Sequence, residues 1–496
     1  MSLRPSQPLS PGENTKANKT RRAALALCAL FAVSLPLINP WIRGDGVGYY
    51  ALARALLIEG RFDFTQDYIH ANERFREARL DEADRPLPLF RTPTGHLDNH
   101  FSVGPAILWA PFLLAAHGGV LAARAMGSPV KPDGFSAPYR FAMAFATALY
   151  GFLALLISFR LACCYVHWKW AFLATLGVWG ASSLAIYMYF NPSWSHAHAA
   201  FAVAAFVMYW HKTRGERSLM EWVFLGALAG LMLNVYYANA TLLAVLGMEA
   251  GAEYLKRWRA ASQRFPSMLR LCGNHVAFLV AAVVCLLPTF VTRSILYGSP
   301  FSSGYTPLKE WFWTRPALWP VLSSSNHGLF FWTPLLLLAV AGLVVFAFRR
   351  PGVGGPLLAG ALAFYLLIAC YPDWDGISSY GNRFFVSLTP LFVLGLAVLL
   401  HELTPRVPSR AGVALSGATV GLFILWNVGL MFQWGMHLVP ARGPVPWVRL
   451  VRNQFFTVPG QLGQSVSRYF FHRSSLMKSI EARDIDESKE KGVAKP

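Results

Sequence analysis

The chain has 496 residues, of which 55% are hydrophobic and only 14% carry Asp, Glu, Lys or Arg. A soluble globular protein carries about 25% charged residues, so this chain has too little charge to cover itself in water. The formal net charge of +19 would suit a nucleic-acid binder, but the basic residues stand in short clusters between apolar runs. That is the pattern of cytoplasmic anchoring loops, and it sets nucleic acid aside as a partner.

Residues 1–20 are polar and are expected to form a disordered cytoplasmic segment. The first spanning helix is predicted over 23–40, its start held in the cytoplasm by Lys16, Lys19, Arg21 and Arg22. The twin arginine and apolar run also suit a signal peptide, but no small-residue cleavage site follows where one is needed. Residues 41–138 then form a first extracytoplasmic loop, far longer than the usual connection of about 4 to 6 residues. Within it, 103–123 is apolar enough to span, yet counting it as a crossing would turn every basic joint outward. Pro105, Pro111, Gly118 and Gly119 interrupt it, and it is expected to lie in the outer interface or to dip and return.

Farther on, basic joints at 160–169, 212–217, 256–270, 349–350 and 406–410 alternate with joints at 191–198, 236–239, 293–325 and 371–383. The stretches 170–211, 271–292 and 351–372 contain no Asp, Glu, Lys or Arg, and a spanning helix needs about 20 mainly apolar residues. With the basic joints inside, an all-α integral membrane protein of about eleven spanning helices results. Its transmembrane domain covers 21–441, and 442–496 is an extracytoplasmic tail with a solvated charged end. The six cysteines have no metal-type or redox spacing and are read as small buried residues. No repeat of fixed period is present.

Four outer loops gather the polar groups. In the first, Gly44, Gly46 and Gly48 permit a tight turn around Asp45, and 49–59 suits a short surface helix bearing Tyr49 on one face. Asp45 fits equally a helix N-cap and a catalytic carboxylate. In the second, His96, Asp98 and His100 alternate, which is a weak metal pattern and an ordinary one for surface turns. The third reads Asn191-Pro-Ser-Trp-Ser-His-Ala-His198, with His196 and His198 at a boundary otherwise free of ionisable groups. The fourth, 371–385, carries Asp373, Asp375, Tyr380 and Arg383. Arg383 at the mouth of a helix suits a phosphate held bidentately or a snorkelling anchor, and the two aspartates equally suit a hydrated turn.

Asp45 just after the first helix, the Gly-Tyr-Tyr and small-residue helix ending at Gly60, Gly-Pro-Ala-Ile-Leu-Trp-Ala-Pro-Phe112, and Trp-Asp-Gly-Ile-Ser-Ser-Tyr-Gly-Asn-Arg383 carry a likeness. Over about 23–400 the chain resembles the GT-C superfamily of multi-pass glycosyltransferases, which use polyprenyl-phosphate sugars. The resemblance implies a large first outer loop with two membrane-surface helices and an essential Asp, here Asp45, as base for the acceptor hydroxyl. It places the donor phosphate at Arg383 with His100 as helper, because 100–105 reads His-Phe-Ser-Val-Gly-Pro where many members have Lys-Pro-Pro. Members often carry an Asp in the second outer loop, where this chain offers only Ser195, His196 and His198. Tyr49, Asp98, His196, His198, Asp373, Asp375 and Tyr380 become candidates to hold substrate. The resemblance implies inversion at the anomeric carbon, a glycan, lipid or protein acceptor, and a bacterial-type inner membrane, and it leaves a divalent cation open. A multi-pass secondary transporter or lipid-linked substrate flippase is the alternative, but it would show ionisable residues near the membrane midplane in two related halves.

Overall fold

A computed structural model describes residues 11–72, 76–259, 264–302, 304–403 and 409–490. Helices α1 (Pro11–Ser34), α2 (Asp45–Arg54), α3 (Thr65–Ile69), α4 (Gly104–Ala125) and α5 (Ala137–Cys163) build the first part of the chain. They are followed by α6 (Trp168–Gly180), α7 (His196–Lys212), α8 (Leu219–Val235), α9 (Ala244–Arg259) and α10 (Arg264–Tyr297). The second part holds α11 (Leu318–Ser323), α12 (Leu329–Trp332), α13 (Leu335–Arg349), α14 (Pro351–Cys370), α15 (Thr389–Leu403) and α16 (Ser409–Gly435). The tail forms α17 (Trp447–Arg452), α18 (Val458–Phe471) and α19 (Arg473–Glu490). Among the described residues the only β pairing is two isolated bridges in the first loop.

Among the described residues seven helices are long and apolar enough to cross a bilayer, and the chain is an integral membrane protein. The count of about eleven is not reproduced by helix length, because Leu219–Val235 and Leu335–Arg349 are apolar but short, and α6 stops at Gly180 where 170–190 was expected to continue. The centre of the bundle is α5, α7 and α15. α15 shows how tight it is: a Cβ on Gly342 of α13 would overlap the Gly395 backbone, so the two helices touch main chain to main chain. Asn234 of α8 adds a polar tie, donating to the Cys285 carbonyl at 2.6 Å while its own oxygen accepts from Thr289.

Two expectations at the ends are corrected. α1 begins at Pro11, so the stretch from 11 to 20 is helical rather than disordered; proline suits a first helical position, and residues 1–10 lie outside the described part. The charged end of the tail is partly docked rather than fully solvated, with Asp484 meeting Arg43 and His437, and the helix before it packs on the bundle. Val458, Leu462, Val466 and Phe470 recur at four-residue spacing along α18, an apolar stripe, and Tyr469 donates to the Leu37 carbonyl at 2.6 Å while Arg473 binds the Pro36 and Ile38 carbonyls. All six cysteines are free, and Cys28, Cys164 and Cys272 are exposed on the helix bundle, not buried as expected.

The first loop is organised around a buried ion pair. Arg54, at the end of α2, donates to both Asp67 oxygens at 2.7 and 2.6 Å with side chains that are 0% and 2% exposed, and it stacks over Phe135. Burial raises the Asp67 carboxyl to about 6, against the pull of Arg54. Arg54→Met strands that carboxylate, and breaking a buried pair from one side costs about 3–5 kcal/mol. Because the Asp67 carboxyl lies above its unfolded value near 4, the folded form holds its proton more firmly, and stability falls as pH rises through that window. The thermal midpoint of Arg54→Met should therefore be lower at pH 8 than at pH 5, and Arg54→Met with Asp67→Leu should recover most of the loss; equal midpoints for the single variant and the parent would remove the pair from the fold's supports.

Candidate active site

Asp45 opens α2, and the residue capping that helix is Gly44, with φ 56° and no side-chain cap bond. The cap reading of Asp45 thus fails on geometry. Its carboxylate instead meets Arg383, Oδ2 to Nη1 at 2.6 Å. The three glycines of the first loop are what let the backbone come so close. A Cβ on Gly44 would run into the Trp194 ring, one on Gly46 into Ser193, and one on Gly48 into the Phe101 ring.

Arg383 begins the short turn Arg383–Leu388 that leads into α15. Its guanidinium lies 4.4 Å above the Trp194 ring and its side chain is 10% exposed. The Asp45 contact is one of charge rather than an aligned hydrogen bond, since among the described residues Nε and Nη1 of Arg383 have no hydrogen-bond partner. A nearly buried guanidinium whose donors lack aligned partners is costly.

Tyrosines close around the pair. Ser195 donates to the Tyr49 hydroxyl at 2.9 Å, and burial pushes that hydroxyl up to about 12, with Asp45 adding to the rise and Arg383 opposing it. Tyr371 is likewise pushed to about 12, first by burial and then by Asp373, and the charges of Arg383 and Asp45 both reach it. Tyr236 stacks on Phe384 at 6.1 Å. His196 is buried against Tyr187 at 4.6 Å.

His100 reaches this group through Tyr305, whose ring is 4.9 Å away, and its Nδ1 lies 3.4 Å from Asp98. Burial acts to raise the Asp98 carboxyl, but the contacts from His100 and from the Tyr297 hydroxyl outweigh it and hold it below its usual value. His96 turns to Thr94 instead, and among the described residues no group of three or more His, Cys, Asp or Glu side chains is placed to hold a metal ion. Arg293, which the sequence left unremarked at the edge of a joint, fixes the strand of backbone before α4: it is 2% exposed and donates to the carbonyls of Asn99, His100 and Phe101.

The remaining candidates sit farther from the pair. Asp375 accepts from Asn326 at 2.7 Å and from the Ile377 N–H at 3.0 Å, tying its loop down, and Ile377 sits at φ 61°, a strained value for a β-branched residue. Asp373 is half-buried, raised by burial and by Asp375 and opposed by Arg383. Tyr380 is fully buried and donates to Asn427 at 2.7 Å, an anchoring contact. His198 is fully buried between Trp109 and Tyr150, and among the described residues neither ring nitrogen has a partner.

No family model and no curated protein sequence matches the chain. In structure it is similar to ArnT from Cupriavidus metallidurans in the apo state, with 13% identity, a TM-score of 0.46 and coverage of 85% of this chain and 72% of that one. The same enzyme bound to undecaprenyl phosphate gives 14% identity, a TM-score of 0.45 and coverage of 84% and 71%. The oligosaccharyltransferase AglB from Archaeoglobus fulgidus, in complex with an inhibitory peptide and a dolichol-phosphate, gives 13% identity, a TM-score of 0.46 and coverage of 87% and 57%. At such identities the chemistry must be read from this chain's own side chains.

Proposed function

We propose that this protein is a membrane glycosyltransferase that moves a sugar from a polyprenyl-phosphate-linked donor to an acceptor on the extracytoplasmic side, with inversion. The observation that carries the reading is Arg383, nearly buried, with its Nε without a hydrogen-bond partner among the described residues and its Nη1 2.6 Å from the Asp45 carboxylate. The acceptor hydroxyl attacks the anomeric carbon as the bond from that carbon to the phosphate oxygen breaks. Its proton passes to Asp45, and the departing phosphate takes the electron pair and the negative charge to Arg383. Tyr49, Tyr236, Tyr305 and Tyr371 offer rings and hydroxyls against which a sugar can lie. His100 and Asp98 stand at the edge of this group as further contacts for the donor. The test is transfer of labelled sugar from polyprenyl-phosphate donors by the purified protein in detergent; no transfer from any such donor, with the fold intact, would overturn it.

The proposed orientation keeps the basic joints in the cytoplasm of a bacterial-type inner membrane and Asp45 outside. The packing of α4 supports this. Leu108 and Trp109 lie beside Tyr150 and Thr147, and His117 beside Tyr139, so α4 runs back along the outer half of α5, and its start abuts the end of α8 at Val235. Both of its ends then belong to the Asp45 side, as a surface helix requires, although its length and hydropathy alone would let it cross. In a cysteine-free background, a cysteine at exposed Thr314 should react with an impermeant thiol reagent added outside and one at exposed Glu216 should not. The reverse pattern would move the site to the cytoplasmic face.

A further inference from the structure

Between α1, α6, α16 and the tail helices lies a cavity of about 670 Å³, within the range of about 300–1,000 Å³ for ligand sites. Its wall is apolar, with Leu30, Leu176, Ile424, Val428 and Leu462 among the lining side chains. From Leu30 to Leu37 it follows the end of α1 and the short turn Leu35–Leu37 after it, about 10 Å of chain at helical rise, so it runs down into the outer leaflet. Ser34, Tyr189 and Tyr469 also line it, but their hydroxyls bond one another or backbone carbonyls, which leaves that wall little with which to repay a peptide or a sugar for losing its water. A hydrocarbon chain fits it.

The outer end of the cavity is cationic. Arg43 lines it, stacked 4.5 Å from the Trp41 ring and donating from Nε to Asn191 at 3.1 Å. Its Nη1 meets one Asp484 oxygen at 3.0 Å, and His437 Nε2 meets the other at 2.9 Å. The charge of Arg442 acts on the same carboxylate. The chain's own tail thus supplies an anion to an anion site. Arg43 stands two residues before Asp45, and Trp194 divides the two cations: its ring carries Arg383 and its indole N–H donates to the Arg43 carbonyl at 2.9 Å.

We propose that the acceptor is a membrane lipid with an anionic headgroup, its hydrocarbon chain in this cavity and its headgroup in place of Asp484 on Arg43 and His437. This rests on the glycosyl-transfer reading and names its acceptor class. The donor phosphate is taken up on the Arg383 side of Trp194 and the acceptor enters on the Arg43 side, so the two lipids reach Asp45 without competing for one groove.

Photolabelling of the full-length protein in bilayer nanodiscs tests the site without needing transfer. The probes are a phosphatidylglycerol with a diazirine along one acyl chain, the matching phosphatidylcholine, and a polyprenyl phosphate bearing the same group. Gly435 lines the cavity and a Cβ there meets nothing within 4 Å, so Gly435→Phe is the variant that adds bulk at the cavity from a position open at Cβ. Saturable labelling of 424–436 and 462–480 by phosphatidylglycerol is expected, falling about 10-fold in Gly435→Phe and falling also in Arg43→Gln. Labelling indifferent to Gly435→Phe would mean surface lipid only, equal labelling by phosphatidylcholine would remove the headgroup site, and preference for the polyprenyl phosphate would give the cavity to the donor; each overturns the proposal. In a transfer assay with envelope membranes, label should enter the solvent-extractable lipid fraction. Label in protein or water-soluble glycan would overturn the acceptor class while leaving the transferase reading intact, and absence of all transfer with labelling unchanged would overturn the transferase reading, and the acceptor role with it, while leaving the lipid site.

Discussion

Asp45→Asn is expected to lower sugar transfer by about 100-fold or more, the lower end of what general-base catalysis contributes, while the protein still folds. An amide keeps the volume and the carbonyl oxygen of the carboxylate but takes no proton at neutral pH. Stability should change by about 1 kcal/mol or less, since the carboxylate is 34% exposed and partly exposed ion pairs contribute little. Capping does not complicate the result, because Gly44, not Asp45, holds the cap position of α2. The remaining rival role is neutralisation of Arg383, and kinetics separate the two. Loss of the base lowers kcat and leaves the donor KM unchanged or reduced, because Arg383 is released for phosphate. Loss of a mere counter-ion shifts the donor KM and spares kcat. Repeating the assay with chelator and with added divalent ions removes a metal role from the comparison. Near-normal kcat in Asp45→Asn would send the search for the base to Asp98 and the buried His196.

What the sequence made legible was position along the chain. Asp45 and Arg383 could each be named because each stands in a polar loop where an apolar run begins or ends. Their contact could not be read, because they lie on loops far apart in the chain and no periodicity links them. The glycines at 44, 46 and 48 pointed to a tight turn; only Gly44 takes the positive φ of one, while Gly46 and Gly48 admit Ser193 and Phe101 against α2. The spacing was visible and its partners were not. Trp194, which carries Arg383, stood in a loop quoted for its histidines. Arg293 left a clue: it follows an uncharged stretch that ends at Thr292, so it closes a span and has to find its partners at once.

Composition alone does not decide two features of the fold, for one physical reason. The charged end of the tail reads as solvated from its composition, yet the four-residue apolar stripe of α18 precedes that run, and Asp484 within it meets Arg43 and His437. Composition averaged over the segment hid the stripe. The span count is the second: uncharged stretches in the sequence do not say where a helix stops, and α6 ends at Gly180 with the chain continuing into the short turn Ile186–Phe190. α4 went the other way. Charge parity across the whole chain, not its own apolar composition, argued that it stays on one side, and its packing along α5 supports that argument.

Arg383→Lys is expected to raise the donor KM by about 10- to 100-fold, as loss of a charged hydrogen bond worth about 1.5–3 kcal/mol implies, with a monodisperse, folded protein on gel filtration. Lysine keeps the positive charge next to Asp45 and so spares the ion pair. It loses the planar fork, and with it the Nε and Nη1 donors that have no hydrogen-bond partner among the described residues. It also loses flat stacking on Trp194, which the guanidinium holds at 4.4 Å. The stacking loss predicts a lower thermal midpoint, whereas the fork loss predicts a weaker donor, and the two are measured separately. Trp194→Phe provides the control, keeping a ring under Arg383 while removing the indole N–H from the Arg43 carbonyl. If Arg383→Lys lowers only the midpoint and leaves the donor KM at the parent value, the guanidinium is a packing element of the outer loops. The phosphate must then be held elsewhere, and His100 beside Tyr305 becomes the first place to look.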